Sequence, residues 1–262
     1  MPRIALPSTS INYELTGSGT AWLVLLHEIG GTLWTWNAVA RTLGTRFRVL
    51  AYDQRGSGQS DRISGAFTLG TQIDDLADLL SALGAPEALH LAGNALGAAF
   101  AVRFAARHPQ RVRSLVLACL APNVNADRIR YLQERAAAVE REGMQATVES
   151  SLGNSYPAEA IRDRAVYERY RERFLANDPK SYAAVNRAFA QFDVTGDLAA
   201  IRCPTLVLAG RHDKLRPPAY VRDLAARIPE ARYEVIDSGH IMPVQAPDEM
   251  LAAMMKFYAD YP

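Results

Sequence analysis

The chain has 262 residues, 49% of them hydrophobic, enough to bury a sizeable core, and α/β architectures of this size commonly form one domain. Its 29 Lys and Arg nearly balance 28 Asp and Glu, leaving a net charge of +1, so no global field draws it to nucleic acid or an anionic membrane surface. No stretch approaches the ~18 to 20 apolar residues of a membrane-spanning helix, and the opening Met1-Pro2-Arg3-Ile4-Ala5 lacks the apolar run of a signal peptide, so the expectation is a cytoplasmic protein.

In chain order, short apolar runs at 11–15, 22–26, 48–52, 88–92, 112–117, 205–209 and 233–236 predict strands. Helix-period segments at 36–43, 71–83, 96–107, 219–228 and 247–258 lie between them, with Ile73, Leu76, Leu79, Leu80 and Leu83 forming one stripe. This alternation predicts an α/β fold with a mostly parallel sheet covered on both faces. From 122 to 194 the strands stop, and charged, Ala-rich segments at 128–141, 144–152, 158–175 and 180–189 predict amphipathic helices interrupted at Gly143, Gly153, Pro157 and Pro179. The expected organisation is a core of 1–121 and 195–262 with a helical cap, 122–194, inserted as a lid over the carboxyl ends of the strands, where open α/β sheets bind ligands. Cys119 and Cys203 have neither CxxC nor zinc spacing and read as buried, reduced thiols.

Four short segments fall in loops expected just after strands. They are His27-Glu28-Ile29-Gly30-Gly31; Asp53-Gln54-Arg55-Gly56-Ser57-Gly58-Gln59-Ser60; Gly93-Asn94-Ala95-Leu96-Gly97; and the pair Gly210-Arg211-His212-Asp213 with Gly239-His240. The third is a strand-turn-helix signature with glycines two residues either side of Ala95, the pattern G-x-S-x-G without its serine hydroxyl. In order and spacing the set resembles the α/β-hydrolase fold family across essentially the whole chain, with its HGxG-type oxyanion loop and D-x-R-G-x-G-x-S turn. The nearest flavour is that of small cytoplasmic hydrolases similar to 3-oxoadipate enol-lactonases and esterase-like enzymes.

The resemblance implies that Ala95 occupies the nucleophile position, Asp213 that of the acid and His240 that of the base. It implies oxyanion donors in the backbone N–H groups of Ile29 and Leu96. His27 then braces its loop, Gly56 and Gly58 shape a tight turn, Arg55 with Asp53 ties loops together, and Ser57, outside any elbow, does not replace the missing hydroxyl.

Two residues depart from the family pattern. Ala95 has no lone pair to attack with, so the chain as written forms no acyl-enzyme. Two explanations stay open: a serine hydrolase disabled by a serine-to-alanine change of the kind made to trap substrate, or a naturally serine-less enzyme. Glu28 stands where the loop normally has glycine; it either turns outward to a basic partner or takes part in the chemistry.

Trp34, Phe189 and Met242 are candidates to line an apolar substrate pocket, among other aromatics including Trp36, Phe67, Tyr156, Tyr170 and Phe192. Arg128 and Arg130 are candidates to hold a substrate carboxylate, against a reading as solvated helix charge. No glycine-rich nucleotide loop and no HExxH spacing occurs, so neither cofactor nor metal is expected. Monomer and homodimer are equally open. The leading expectation is cleavage of a small-molecule ester, lactone, amide or activated C–C bond by an α/β-hydrolase carrying Ala95 for serine. The alternatives are a cofactor-free lyase, decarboxylase, isomerase or water-activating hydrolase using His240 and Asp213 with Glu28, and a non-catalytic ligand receptor.

Overall fold

The computed structural model describes residues 2–261; Met1 and Pro262, the outer ends of the expected core, lie outside the described residues. Eight strands, β1 (Arg3–Leu6), β2 (Thr9–Thr16), β3 (Trp22–Leu26), β4 (Arg48–Tyr52), β5 (Leu89–Asn94), β6 (Val112–Ala118), β7 (Thr205–Gly210) and β8 (Arg232–Ile236), form one sheet in the order β1-β2-β4-β3-β5-β6-β7-β8. From β4 to β8 every pairing is parallel, while β2 runs antiparallel to both β1 and β4. The central strands are buried along their whole length, as Trp-Leu-Val-Leu-Leu in β3 illustrates, because helices cover both faces.

Side-chain alternation sorts the two layers. Val24, Leu26, Val207 and Ala209 face α2 (Leu69–Ala82), α3 (Leu96–Arg107) and α8 (Pro218–Ala225), whereas Leu23, Leu25, Leu206 and Leu208 face α1 (Asn37–Leu43) and α10 (Pro247–Asp260). Between β6 and β7 the chain leaves the sheet as α4 (Ala126–Glu142), α5 (Val148–Ser155), α6 (Arg164–Leu175) and α7 (Pro179–Phe189). These helices bury Val139, Leu152, Tyr170, Phe174 and Tyr182 in a cluster of their own that reaches Ile241 and Val244, next to the short helix α9 (Met242–Gln245) of the core. No described helix is long and apolar enough to cross a membrane.

Several boundaries differ from the sequence expectation, each for a local reason. Strand β1, half-exposed and only four residues long, gives no clear alternation and is fixed by pairing Ile4 with Ile11. Gly153 lies inside α5, where its missing side chain meets open space, and does not end the helix. The segment 158–175 splits because the Asp163 carboxylate accepts the N–H groups of Ala165 and Val166 and so starts α6 afresh. Pro179, expected as the break before a helix from 180, is itself the first residue of α7, with Asp178 accepting the Ser181 N–H.

Candidate active site

Strand β5 delivers the chain into Ala95, which holds φ 52° and ψ −111°, a left-handed conformation unusual for a residue with a side chain. The turn is tight enough to demand both flanking glycines. A Cβ on Gly93 would lie 2.4 Å from the Ala98 nitrogen, and one on Gly97 would lie 2.2 Å from the Leu26 carbonyl oxygen. The Ala95 N–H donates to the Ala118 carbonyl at 2.9 Å, which pins the turn to the end of β6. Helix α3 therefore starts at the site, and Leu96, its first residue, has an N–H with no acceptor inside the helix.

Asp213 and His240 come from the loops after β7 and β8 and meet in the interior, 3% and 7% exposed. His240 Nδ1 donates to Asp213 Oδ2 at 2.7 Å, while Asp213 Oδ1 accepts the N–H groups of Leu215 at 2.8 Å and Arg216 at 2.9 Å. Burial pushes the Asp213 carboxyl up, but the His240 charge and hydrogen bond, with the two backbone donors, bring it below the ordinary aspartate value. The His240 loop is held at three points. Its N–H donates to the Ser155 carbonyl of α5 at 3.0 Å, its carbonyl accepts from Asn94 Nδ2 at 3.1 Å, and the next N–H, of Ile241, donates to Gln245 Oε1 at 2.7 Å.

Cys119 packs against this pair. One ligand atom from each of Cys119, Asp213 and His240 falls within 4.8 Å of the others. Burial and the neighbouring Asp213 charge raise the thiol well above its usual range, which keeps it protonated and a poor metal ligand.

The loop after β3 is braced by His27. Its Nδ1–H donates to the Glu28 carbonyl at 2.8 Å and its Nε2 accepts the Gln54 N–H at 3.1 Å, so the ring is the neutral Nδ1–H tautomer. Asp53 accepts from the Leu33 N–H at 2.8 Å and the Gln59 N–H at 2.9 Å, joining the two loops. Arg55 does not share this role with Asp53: it forms a two-pronged pair with Asp75 of α2, because its side chain leaves the glycine turn towards that helix.

Glu28 does not turn outward. It is 2% exposed, and no described basic residue lies within ion-pair distance of it. Its Oε1 accepts the hydroxyls of Thr35 at 3.0 Å and Tyr170 at 2.8 Å, and Oε2 is buried with no partner. Burial, then the Glu28 charge, pushes the Tyr170 hydroxyl well above its usual range, so it stays a donor.

Glu28, Ile29, Ala95, Leu96 and His240 line one enclosed cavity of about 70 Å³ under the cap. Phe189 also lines it, but Trp34 and Met242 do not. Trp34 lies beneath the Arg173 guanidinium, 4.5 Å from ring centre to carbon, and packs with the cap cluster. Met242 is fully buried beside Met250 and Met254, because α9 turns its side chain into the layer covered by α10. Arg130 pairs on the surface with Asp127 at 3.0 Å, whereas Arg128 lines the cavity together with Arg135 and Arg216. Sequence reasoning passed over these last two. Arg135 follows Arg128 by seven residues, two helical turns along one face of α4, and Arg216 follows Asp213 by three, so both signals were present.

Residues 21–247 match the model of the α/β hydrolase fold family. The chain belongs to this family. RutD of Azorhizobium caulinodans, named only provisionally as a carbamate hydrolase, is 31% identical over 98% of each chain. The 3-oxoadipate enol-lactonase 1 of Acinetobacter baylyi is 28% identical, covering 90% of this chain and 87% of its own. Among solved structures, the enol-lactonase of Burkholderia xenovorans superposes with a TM-score of 0.93 at 29% identity over 98% of this chain and 100% of its own. A thermophilic esterase of Thermogutta terrifontis, solved with malate bound, gives 0.94 at 29% identity, covering 100% and 99%. The fold, the order of its motifs and the standing of the chain among small-molecule hydrolases thus agree.

Proposed function

We propose that the protein hydrolyses a small ester, lactone or carbamate by direct attack of water, with His240 as general base and no acyl-enzyme intermediate. The observation that carries this reading is Glu28 itself, a residue that lines the same cavity as Ala95 and His240 and keeps a buried carboxyl oxygen, Oε2, with no partner. Burying a carboxyl costs several kcal/mol unless it is compensated. Here the cap contributes Tyr170 and the core Thr35 to hold one oxygen, and the other is left without a donor. A simple loss of serine would leave this second departure from the family pattern unexplained.

In the proposed reaction the substrate carbonyl oxygen sits against the N–H groups of Ile29 and Leu96, with its carbon above the Ala95 methyl, where a serine oxygen would otherwise stand. A water there gives one proton to His240 Nε2, the ring nitrogen not held by Asp213, and hydrogen-bonds Glu28 Oε2 with the other. Its oxygen bonds to the carbonyl carbon, the C=O pair moves onto oxygen, and the two N–H groups hold the resulting oxyanion. Collapse restores the carbonyl and breaks the bond to the leaving oxygen, or nitrogen, which takes the proton from His240. The net change is addition of one water across the cleaved bond.

The protein as written is tested against p-nitrophenyl acetate, simple lactones and a p-nitrophenyl carbamate, beside His240→Ala, Glu28→Gln and Ala95→Ser. Turnover by the unsubstituted chain, without a burst and abolished in His240→Ala, is expected, with Glu28→Gln reduced on the order of tenfold or more. Silence of the unsubstituted chain, with burst kinetics and fluorophosphonate labelling gained in Ala95→Ser, would overturn the proposal in favour of a disabled serine hydrolase.

A further inference from the structure

Arg128, Arg135 and Arg216 all line the catalytic cavity, and no described carboxylate lies within ion-pair distance of any of them. Elsewhere on the cap Arg130, Arg164, Arg171 and Arg187 each reach an Asp or Glu, and Arg173, which does not, lies over the Trp34 ring away from the cavity. Arg135 is only 9% exposed. Its two terminal nitrogens meet neutral partners, Ser151 at 3.3 Å and Asn186, and its Nε–H is buried without an acceptor. Arg216 gives its terminal nitrogens to the carbonyls of Leu215 at 2.7 Å and Asn123 at 3.0 Å, and again the Nε–H is buried and unpaired. Arg128 lies over the Tyr131 ring at 4.5 Å, with no side-chain hydrogen bond among the described residues.

Three like charges in one cavity repel each other. Burial, and then the Arg135 charge, lowers the Arg128 guanidinium to about 10. The nearby acids are committed elsewhere: Asp213 to His240, Asp127 to Arg130, and Glu28 to Tyr170 and Thr35. The arrangement therefore lacks its anion. Position matters too, since Arg128 and Arg216 line both the inner cavity and an outer basin of about 770 Å³, whereas Ala95 and His240 line the inner space and not the basin. A substrate entering from the basin passes the arginines before it reaches His240.

We infer that Arg128, Arg135 and Arg216 receive a carboxylate carried by the substrate, so that the acyl compound is an anionic one, a dicarboxylic acid half-ester. Three guanidinium groups on one cavity, two of them with an Nε–H that has no acceptor, leave positive charge and donors that a carboxylate would satisfy. This names the substrate class of the reaction proposed above and rests on that reading for the reacting end only.

The test is calorimetric binding to the full chain of glutarate, monomethyl glutarate, dimethyl glutarate and inorganic phosphate, repeated with Arg128→Met and Arg216→Met. These two arginines are only half-buried, and thermal unfolding checks that each Met variant is folded; Arg135→Lys, which keeps charge at the buried site, is the third variant. Monomethyl glutarate is expected to bind roughly tenfold or more tightly than the uncharged diester, and each Met variant to erase that margin while leaving diester binding unchanged. Equal binding of monoester and diester, phosphate binding as tight as glutarate, unaltered glutarate affinity in the Met variants, or no glutarate binding at millimolar concentration would each overturn it. Arginine-dependent binding of monomethyl glutarate without its hydrolysis would leave this inference standing and remove the proposed reaction. Hydrolysis with no preference for the charged ester would do the reverse.

Discussion

Tyr170, on α6 of the cap, donates its hydroxyl to Glu28 Oε1 at 2.8 Å across 142 residues of sequence. The bond joins the cap to the loop after β3 and commits one of the two carboxyl oxygens. The position of α6 and the geometry of Glu28 are thereby coupled, because Tyr170 supplies one of the two Glu28 donors.

Tyr170→Phe should therefore destabilise the protein by about 1–3 kcal/mol, the cost of leaving a buried carboxyl short of a donor. In a Glu28→Gln background the same substitution should cost clearly less, since the neutral amide needs that donor less. Urea denaturation of the wild type, the two single variants and the double variant measures this coupling. Additive losses would mean that the hydroxyl serves packing alone.

Ala95 gives a second prediction. A residue with a side chain at φ 52° and ψ −111° stores strain of about 1–3 kcal/mol, which glycine would release. Ala95→Gly is expected to raise stability by roughly 1 kcal/mol, after its greater unfolded-chain entropy is subtracted. Gly97→Ala, whose Cβ would fall 2.2 Å from the Leu26 carbonyl oxygen, should lower stability by about 1–3 kcal/mol. Thermal unfolding of the two variants should move in opposite directions. A fall in Tm for Ala95→Gly would show that the elbow is not strained.

Much of this architecture was legible in the sequence, and the exceptions have physical causes. Apolar runs such as Leu23 to Leu26 announce strands covered on both faces, and the glycines around Ala95 announce a turn with no room for Cβ atoms. The resemblance to the α/β-hydrolase family brought Asp213 and His240 into view. What sequence could not supply was the direction of single side chains. Glu28 could equally have turned to solvent, Arg55 could have met Asp53, and Met242 could have faced the cavity; each outcome depends on partners distant in the chain, such as Tyr170, Asp75 and Met250. The arginine cluster was missed because any one arginine reads as solvated surface, and only convergence on one cavity without carboxylate partners distinguishes these three.

His90 makes stability depend on pH well away from the active site. It is buried between Phe47 and Tyr258, with ring centres 5.3 and 5.4 Å away, Nδ1 on Ser114 Oγ at 2.8 Å and Nε2 unpaired. Burial, with the charges of Arg113 and Arg46, lowers it to about 4, against an ordinary 6.5. Between those values the unfolded chain binds a proton that the folded one refuses, so the favourable contribution is complete above 6.5 and is lost as the pH falls towards 4. His90→Phe should remove about 2 kcal/mol of the stability decline between pH 7 and pH 5. Equal declines in the two proteins, measured by urea denaturation at each pH, would place the titration elsewhere.

Asp213→Asn separates orientation from charge at the base. The carboxylate accepts Nδ1–H of His240 at 2.7 Å and two backbone N–H groups on its other oxygen. An asparagine that keeps the backbone bonds must turn its amide nitrogen towards Nδ1. That favours the tautomer with the proton on Nε2, where it can no longer accept one from water. Turnover of any substrate of the unsubstituted chain should fall by on the order of 10³ to 10⁴, with binding of an uncharged ester little changed. Stability supplies an independent check. The folded carboxyl lies below its ordinary value, so its contribution is present above 3.8 and disappears as the pH falls through the lower folded value. The variant should therefore lose this most acidic limb while keeping the His90 limb between pH 7 and pH 5. An Asp213→Asn protein that retained turnover within tenfold would mean that His240 does not act as the base.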